Sequence, residues 1–474
     1  MFGSSLGKGF DIVIGNPPYV QLQSKRGGLA SLYKDLGFQT FERTGDIYTL
    51  FYERAWQLLQ NNGYLCFITS NKWMRTGYGA SLRKFLAANT RPKTLIDFAG
   101  QKIFASATVD TNILLYEKNN STNGAKNTET HAVTATNASC DNLSLFVRQN
   151  ATPCAFPADG ASWVILTPLE QAIKRKIEAK GVPLKNWDVK IYRGILTGYN
   201  DAFIIDEEKR NEILGNCMDA DEHNRTAKLI RPILRGRDIK RYAYSWAELY
   251  VIGTFPALHV DIDKYPAVKK FLYGFYPKLR QTGQTLTAAE KQSVKAHILA
   301  HGLSVNEKNL DKSRKKTGNQ WFETQDQIDY WDDFSKPKIV WAELARTGNA
   351  FTFNGDRHFV GNTGYILTMG EVTKNCVGYE WLLAFLNSKA LLFYLDMICN
   401  RLDETGWRWL RQHVELLPVP IQPLEKQGAI TEIIRAELSK TTTEGQRKIN
   451  VQIANYYGLN REETEFLSSR FPHG

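Results

Sequence analysis

Cysteine is scarce in this sequence and scattered. Cys66, Cys140, Cys154, Cys217, Cys376 and Cys399 stand far apart, with no Cys-x-x-Cys among them. That spacing argues against a zinc site or a disulfide framework and fits reduced thiols in the cytoplasm. Also missing is any run of the roughly 18 apolar residues that a membrane-spanning helix needs, and residues 1–9 lack the apolar core of a secretory leader. Acidic surplus is absent too: 60 Lys and Arg face 49 Asp and Glu, a formal charge of +11 that suits a polyanionic partner. His297 and His301 have the pitch of a metal pair on a helix, but no third ligand accompanies them; they read as a surface pair, and no metal is expected. Glu207-Glu208-Lys209 has the minimal shape of a nuclease site without the upstream acid such a site needs.

What is present is organised around one early stretch, Phe10-Asp11-Ile12-Val13-Ile14-Gly15-Asn16-Pro17-Pro18-Tyr19. An apolar run of strand type ends at a glycine and passes into Asn-Pro-Pro-Tyr. Two consecutive prolines fix φ and remove two backbone donors, so the turn is stiff and its carbonyls stay free. Asn16 adds a side-chain carbonyl and Tyr19 a flat aromatic face. Together they suit a planar ring carrying an amino group. Beyond Gln21–Thr44, a polar segment with Lys25, Arg26 and Lys34 that suits either a solvated loop or contact with a polyanionic backbone, Asp46 opens an amphipathic helix. Ile47, Leu50, Phe51, Ala55, Leu58 and Leu59 form its buried stripe, and Asn61-Asn62-Gly63 ends it. Strands are predicted at Tyr64–Thr69, Leu95–Phe98, Asn112–Tyr116, Leu143–Val147 and Trp163–Leu166, with a helix after Trp73. The alternation predicts an α/β domain with a mainly parallel sheet covered on both faces.

The Asn-Pro-Pro-Tyr strand end resembles motif IV of the amino-methylating DNA methyltransferases, the adenine-N6 group in particular. The resemblance implies that Asn16, Pro17, Pro18 and Tyr19 hold a flipped adenine, with S-adenosylmethionine as cofactor. Asp46-Ile47-Tyr48-Thr49-Leu50-Phe51 looks like motif V, which implies Asp46 and Phe51 on the cofactor side; the helical stripe alone makes Phe51 a core residue. Gly63–Trp73 looks like motif VI. Lys102–Thr108 looks like motif VIII, with Phe104 as the second aromatic against the base. The family also needs a Gly-rich turn and an acidic residue for the cofactor. Only Gly194–Gly198 and Gly361–Gly364 come near, and neither has the family's character. The expectation is therefore the back half of such an enzyme, a partial Rossmann-like sheet whose first strand leaves an open apolar edge, needing an upstream segment or a partner chain for the cofactor.

Thr167-Pro168-Leu169-Glu170 predicts a capping box on a bridging helix. The second half is basic: residues 225–241 carry seven Lys or Arg against one acid, Asp238, with aromatics close behind. These blocks, with Ala384–Lys389 and Leu416–Pro420, look like the TaqI-type target-recognition domain. DNA contact is expected from Arg193, Arg231, Arg235, Arg237, Lys240, Arg241, Lys315, Lys316, Arg401 and Trp407. Leu382–Met397 predicts one helix, apolar nearly all round. The expected domains are 1–166 (partial catalytic), 167–186 (linker helix), 187–422 (a mixed α+β recognition domain) and 423–474 (terminal helices). The function expected is adenine-N6 methylation of double-stranded DNA in a restriction-modification or related defence system. The alternatives are a catalytically inactive recognition subunit needing a partner chain, and a protein or RNA N-methyltransferase.

Overall fold

The opening apolar run does form a strand. A computed structural model describes residues 9–472 except 25–27, 100, 102, 105–109, 120–128, 136–141, 303–304, 347, 349 and 404–405. In it the chain divides into two compact units, Met1–Arg175 with Asp396–Glu404, and Lys176–Leu395 with Thr405–Gly474.

The first unit is built on six strands: β1 (Phe10–Gly15), β2 (Leu59–Ser70), β3 (Thr90–Asp97), β4 (Thr111–Lys118), β5 (Thr130–Thr134) and β6 (Thr152–Cys154). Their order is β1-β2-β4-β3-β5-β6. The sheet is mixed rather than mainly parallel: β1 with β2 and β3 with β5 run parallel, while β4 lies antiparallel between β2 and β3, and β6 antiparallel to β5. Helices α1 (Gly28–Tyr33), α2 (Tyr48–Leu58) and α3 (Ala80–Asn89) precede α4 (Leu143–Asn150). One sheet face packs Tyr48, Tyr52, Leu65, Phe67, Leu82, Leu114 and Tyr116 into a core.

The other face is covered only in part. Phe146 and Val147 of α4 pack against Ile96, Val133 and Ile113, but Ile12 and Ile14 of β1 stay 60 and 76 % exposed. Among the described residues β1 pairs on one side only, so the open apolar edge expected from the sequence is present.

Two expected strands are not strands. Leu143–Val147 alternates like one, but Asn142 Oδ1 accepts the Leu145 amide at 3.1 Å, and that N-cap commits the segment to α4. Trp163–Leu166 is extended without a sheet partner; the Trp163 amide donates to the Met74 carbonyl. The capping box of α5 (Pro168–Lys180) is as expected, Thr167 and Glu170 exchanging side-chain-to-amide bonds of 2.8 and 3.3 Å.

The second unit carries β7 (Val182–Pro183), β8 (Val189–Arg193), β9 (Ile204–Asp206), β10 (Ile230–Leu234), β11 (Leu249–Ile252), β12 (Lys338–Ala342), β13 (Leu344–Ala345), β14 (Phe351–Asn354), β15 (Phe359–Val360) and β16 (Gly364–Met369); β17 (Asn400–Asp403) lies in the first unit, and β18 (Gly406–Arg408) and β19 (Pro418–Val419) return to the second. Two four-stranded sheets, β14-β12-β16-β8 and β15-β10-β11-β9, form its centre. The single helix expected over Leu382–Met397 is two, Tyr379–Leu386 and Lys389–Ile398, bent by 62° at Asn387 and Ser388. Asn387 causes the break: its amide nitrogen donates to the Phe351 carbonyl at 2.9 Å and its oxygen accepts the Phe351 amide at 3.0 Å. Among the described residues no single helix is long and apolar enough to cross a membrane. The terminal helices Gly428–Ser439 and Thr443–Tyr457 belong to this unit, with Tyr456 edge-on to Trp381 at 5.4 Å.

His297 and His301 are not the surface pair expected. His297 lies 4.5 Å from the Phe275 ring and 4.1 Å from His301, and its Nε2 has no partner. No metal-holding cluster occurs among the described residues.

Two outcomes follow from this packing. Burial, helped by His301, pushes His297 down to about 4 from 6.5. The unfolded chain therefore takes up the proton first, and stability present above pH 6.5 is lost as pH falls toward 4. Thermal melts of His297→Leu should show a flatter decline across that window than the parent chain. Second, the buried Glu53 carboxylate accepts from the Gln39 and Thr40 amides and the Thr40 hydroxyl. Glu53→Ala should cost about 2–4 kcal/mol in urea unfolding and open residues 21–44 to protease.

Candidate active site at the carboxyl edge of the first sheet

Parallel pairing sets Ile14 against Cys66 and Gly15 against Phe67, so β1 and β2 end at the same edge of the sheet. A Cβ on Gly15 would meet the Phe67 ring at 3.0 Å, so glycine lets β1 approach that ring before the turn. Asn16 is exposed, Pro17 buried, Pro18 exposed and Tyr19 half-buried. The Tyr19 hydroxyl donates to Asn16 Oδ1 at 3.0 Å and reaches the Ile68 carbonyl at 3.4 Å. The tetrapeptide is thus tied to itself and to β2. An amide oxygen has two lone pairs, so Asn16 can accept a second donor from solvent or a ligand.

β3 ends at Asp97 opposite Asn112, and Ser70 of β2 lies opposite Thr111, so β3 ends and β4 begins at the edge where Asn16–Tyr19 leave β1. Phe104 is half-buried. Most of the motif VIII stretch, Lys102 and Ala105–Thr108, lies outside the described residues.

Beneath the tetrapeptide is a polar layer that the sequence reading missed. Tyr19 meets Tyr48 edge-on at 6.2 Å. The Tyr48 hydroxyl pairs with Tyr78 at 3.0 Å, and Tyr78 donates to Asp46 Oδ2 at 3.3 Å. Burial raises the Asp46 carboxyl, opposed by Tyr78 and Lys72, and pushes Tyr78 up to about 12, so the phenol remains a donor at neutral pH. A second chain joins the Tyr52 hydroxyl, Thr69 and Asn112 Oδ1 at 2.9 and 3.0 Å, with Trp73 Nε1 on the same oxygen at 3.2 Å. Asn112 Nδ2 and the Thr111 hydroxyl are buried at this edge without a partner. The signal available in the sequence was polar residues, Thr69 and Asn112, at the ends of apolar strands.

Phe51 is corrected by the structure. Leu50, Tyr52 and Ala55 of α2 are buried, but Phe51 faces outward at 40 % exposed. Asp46 is 8 % exposed and bonded to Tyr78. The two glycine turns have another use: a Cβ on Gly194 would lie 2.1 Å from the Gly361 carbonyl, and Ile195 bridges Gly361. They let two strands cross closely.

The residues expected to face DNA divide by exposure. Arg237, Lys240, Lys315 and Lys316 are exposed. The Arg193 side chain is 50 % exposed, in an ion pair with Glu343. Arg231 sits over the Phe359 ring at 5.8 Å, and Arg235 is bound to Asp238 at 2.8 Å. Arg241 is half-buried, and burial lowers its guanidinium, while Trp407 is 8 % exposed. The Arg401 side chain lies outside the described residues.

Comparison with known proteins gives this arrangement a lineage. Residues 3–104 match the Eco57I restriction-modification methylase family, and residues 231–419 the TaqI-like C-terminal specificity domain. The type II methyltransferase M.BstVI of Geobacillus stearothermophilus is 20 % identical over 97 % of this chain and 75 % of its own length. M.XhoI of Xanthomonas vasicola is 22 % identical, over 97 % of this chain and 77 % of its own. The solved type IIL restriction-modification enzyme MmeI, in complex with DNA, shares the fold at a TM-score of 0.50 and 14 % identity, covering 97 % of this chain and 57 % of that one. The chain thus spans about three quarters of these two curated relatives and little more than half of the solved one. It carries an Eco57I restriction-modification methylase domain and a TaqI-like C-terminal specificity domain, and its homologues are type II methyltransferases.

Proposed function

We propose that this chain carries the target-base site and the recognition domain of a site-specific DNA adenine-N6 methyltransferase of a restriction-modification or related defence system, acting on double-stranded DNA. One observation carries the reading: Asn16 Oδ1, just past the end of β1, is held by the Tyr19 hydroxyl, and the Pro17 carbonyl comes next in the chain as a second acceptor. An adenine amine is a poor nucleophile because its lone pair is delocalised into the ring. Accepting its two N–H bonds at Asn16 and Pro17 draws that lone pair toward a tetrahedral nitrogen. Tyr19, held by its hydroxyl, stacks the flipped base on one face, and Phe104 closes the other. When bound, S-adenosylmethionine supplies the electrophilic methyl group; Phe51 would stack on its adenine, with Asp46 behind it. No strong base is needed, since the nitrogen becomes acidic only once methylated and water can take its proton. Arg193, Arg237, Lys240, Lys315 and Lys316 are the proposed phosphate and base contacts of the second unit.

The unpaired edge of β1, with Ile12 and Ile14 beside it, is the proposed seat of a strand and helix bearing the cofactor turn, in an additional segment or a partner chain. An apolar edge of this kind is a pairing template. A second reading, an inactive recognition subunit, is favoured by the occupation of both glycine turns in strand crossing.

A methyl-transfer assay with labelled S-adenosylmethionine and a pool of duplexes, run beside a gel shift, separates these. With the cofactor-bearing segment supplied as a second chain, Asn16→Ala should lower methylation at least about 100-fold with duplex binding kept. Duplex binding that stays without methylation even when that segment is supplied favours the inactive-subunit reading, and methylation of protein or RNA alone sinks both. Calorimetry should find S-adenosylmethionine bound weakly or not at all by the chain alone; micromolar affinity would overturn the need for a further segment.

A further inference from the structure

Far from the tetrapeptide in sequence, two half-exposed arginines of the second unit share one buried carboxylate. Glu343, between β12 and β13, is 5 % exposed. Its Oε2 accepts Arg193 Nη2 at 2.8 Å, and its Oε1 accepts Arg408 Nε and Nη2 at 2.8 and 2.7 Å. Both arginine side chains are 50 % exposed. The main chain that carries this carboxylate is held on both sides: the Glu343 amide donates to the Thr363 carbonyl and its own carbonyl accepts the Trp409 amide, at 2.9 and 2.8 Å.

Each arginine is anchored at its backbone as well. Arg193 closes β8 opposite Tyr365 of β16, its carbonyl accepts the Tyr330 hydroxyl at 2.9 Å, and its Nε donates to the Asn362 carbonyl at 3.0 Å. Tyr330 in turn stacks on Tyr192 at 4.2 Å with the rings parallel. Arg408 lies on β18 opposite Leu344 of β13. Strands from three parts of the chain thus deliver two guanidinium groups to one rigid post.

The charge balance decides what such a pair is for. Glu343 cancels one of the two positive charges at contact distance, and Asp326 lies within electrostatic reach of Arg193. A group built to attract phosphate would not be neutralised from beneath, since that contact lives on charge and tolerates a mobile side chain. Neutralisation costs little, however, if the task is to aim N–H donors. A guanidinium has five, and the contacts above take two from Arg193 and two from Arg408. Guanine presents two acceptors, O6 and N7, in the major groove, and a fixed guanidinium fork matches them.

We propose that Arg193 and Arg408, locked by Glu343, are specificity-determining residues that read guanine at one position of the recognised DNA site. This rests on the reading of the second unit as a DNA-recognition domain. The probe is a randomised duplex pool selected on the full chain, followed by anisotropy titrations of the selected duplex and its single-position variants at several salt concentrations. Arg193→Lys and Arg408→Lys should each lose roughly 10- to 100-fold preference for guanine at one position, with other positions and the salt slope unchanged. Glu343→Gln keeps both arginines and frees them; it should blur the same position while tightening binding to unselected DNA. Uniform weakening over all sequences, with the salt slope reduced by about one, would identify a phosphate contact and overturn the proposal, as would unchanged preference in all three variants. Failure of the parent chain to bind any duplex would instead bring down the recognition reading, and this proposal with it.

Discussion

The register between β1 and β2 is the constraint on which the first unit depends. Because Ile14 lies against Cys66 and Gly15 against Phe67 in a parallel pair, the residues after Gly15 emerge at the carboxyl edge of the sheet. A slip of one residue would turn Val13 out of the core and Ile14 in, and would swing Asn16 away from the Ile68 carbonyl that Tyr19 reaches. β4 runs antiparallel to both neighbours, so β3 ends and β4 begins at that same edge. Edges of this kind, beyond the carboxyl ends of parallel strands, are where open α/β sheets bind ligands.

The layer below the tetrapeptide gives the edge its stiffness. Phenols at Tyr48, Tyr52 and Tyr78 are held protonated by burial, so their hydroxyls can be oriented once and left. Tyr78 spends its hydrogen on Asp46, and Tyr19 spends its own on Asn16. Each hydroxyl of the Tyr48–Tyr78–Asp46 chain is paired, and a satisfied chain of this kind specifies one geometry, whereas Asn112 Nδ2 and the Thr111 hydroxyl are left without a partner.

How much of this could be read from the chain depended on distance in sequence. Asn16, Pro17 and Tyr19 are adjacent, so their chemistry is written in one phrase. The Tyr48–Tyr78 and Thr69–Asn112 contacts join residues 30 and 43 positions apart, and Arg193 meets Glu343 across 150; nothing local announces them. For Phe51 the helical stripe alone misled, for a different reason. It held at Leu50 and Ala55, but Phe51 lies about 100° further round the helix and faces outward, and a phenylalanine carries no mark of which side it faces. At Leu143–Val147 a short capping contact outweighed an alternating pattern that is ordinary for a strand.

The helix break at Asn387 carries a consequence of its own. That side chain acts as a surrogate peptide unit, giving and taking one bond each with Phe351, while Ser388 Oγ accepts the Leu391 amide of the helix beyond. Glutamine is one methylene too long to fit that closed ring of atoms, and aspartate offers an oxygen where a hydrogen is wanted. Slow hydrolysis of this one amide with age would therefore set a carboxylate against a buried carbonyl, and the corner of the second unit would loosen without any change in the length of the chain.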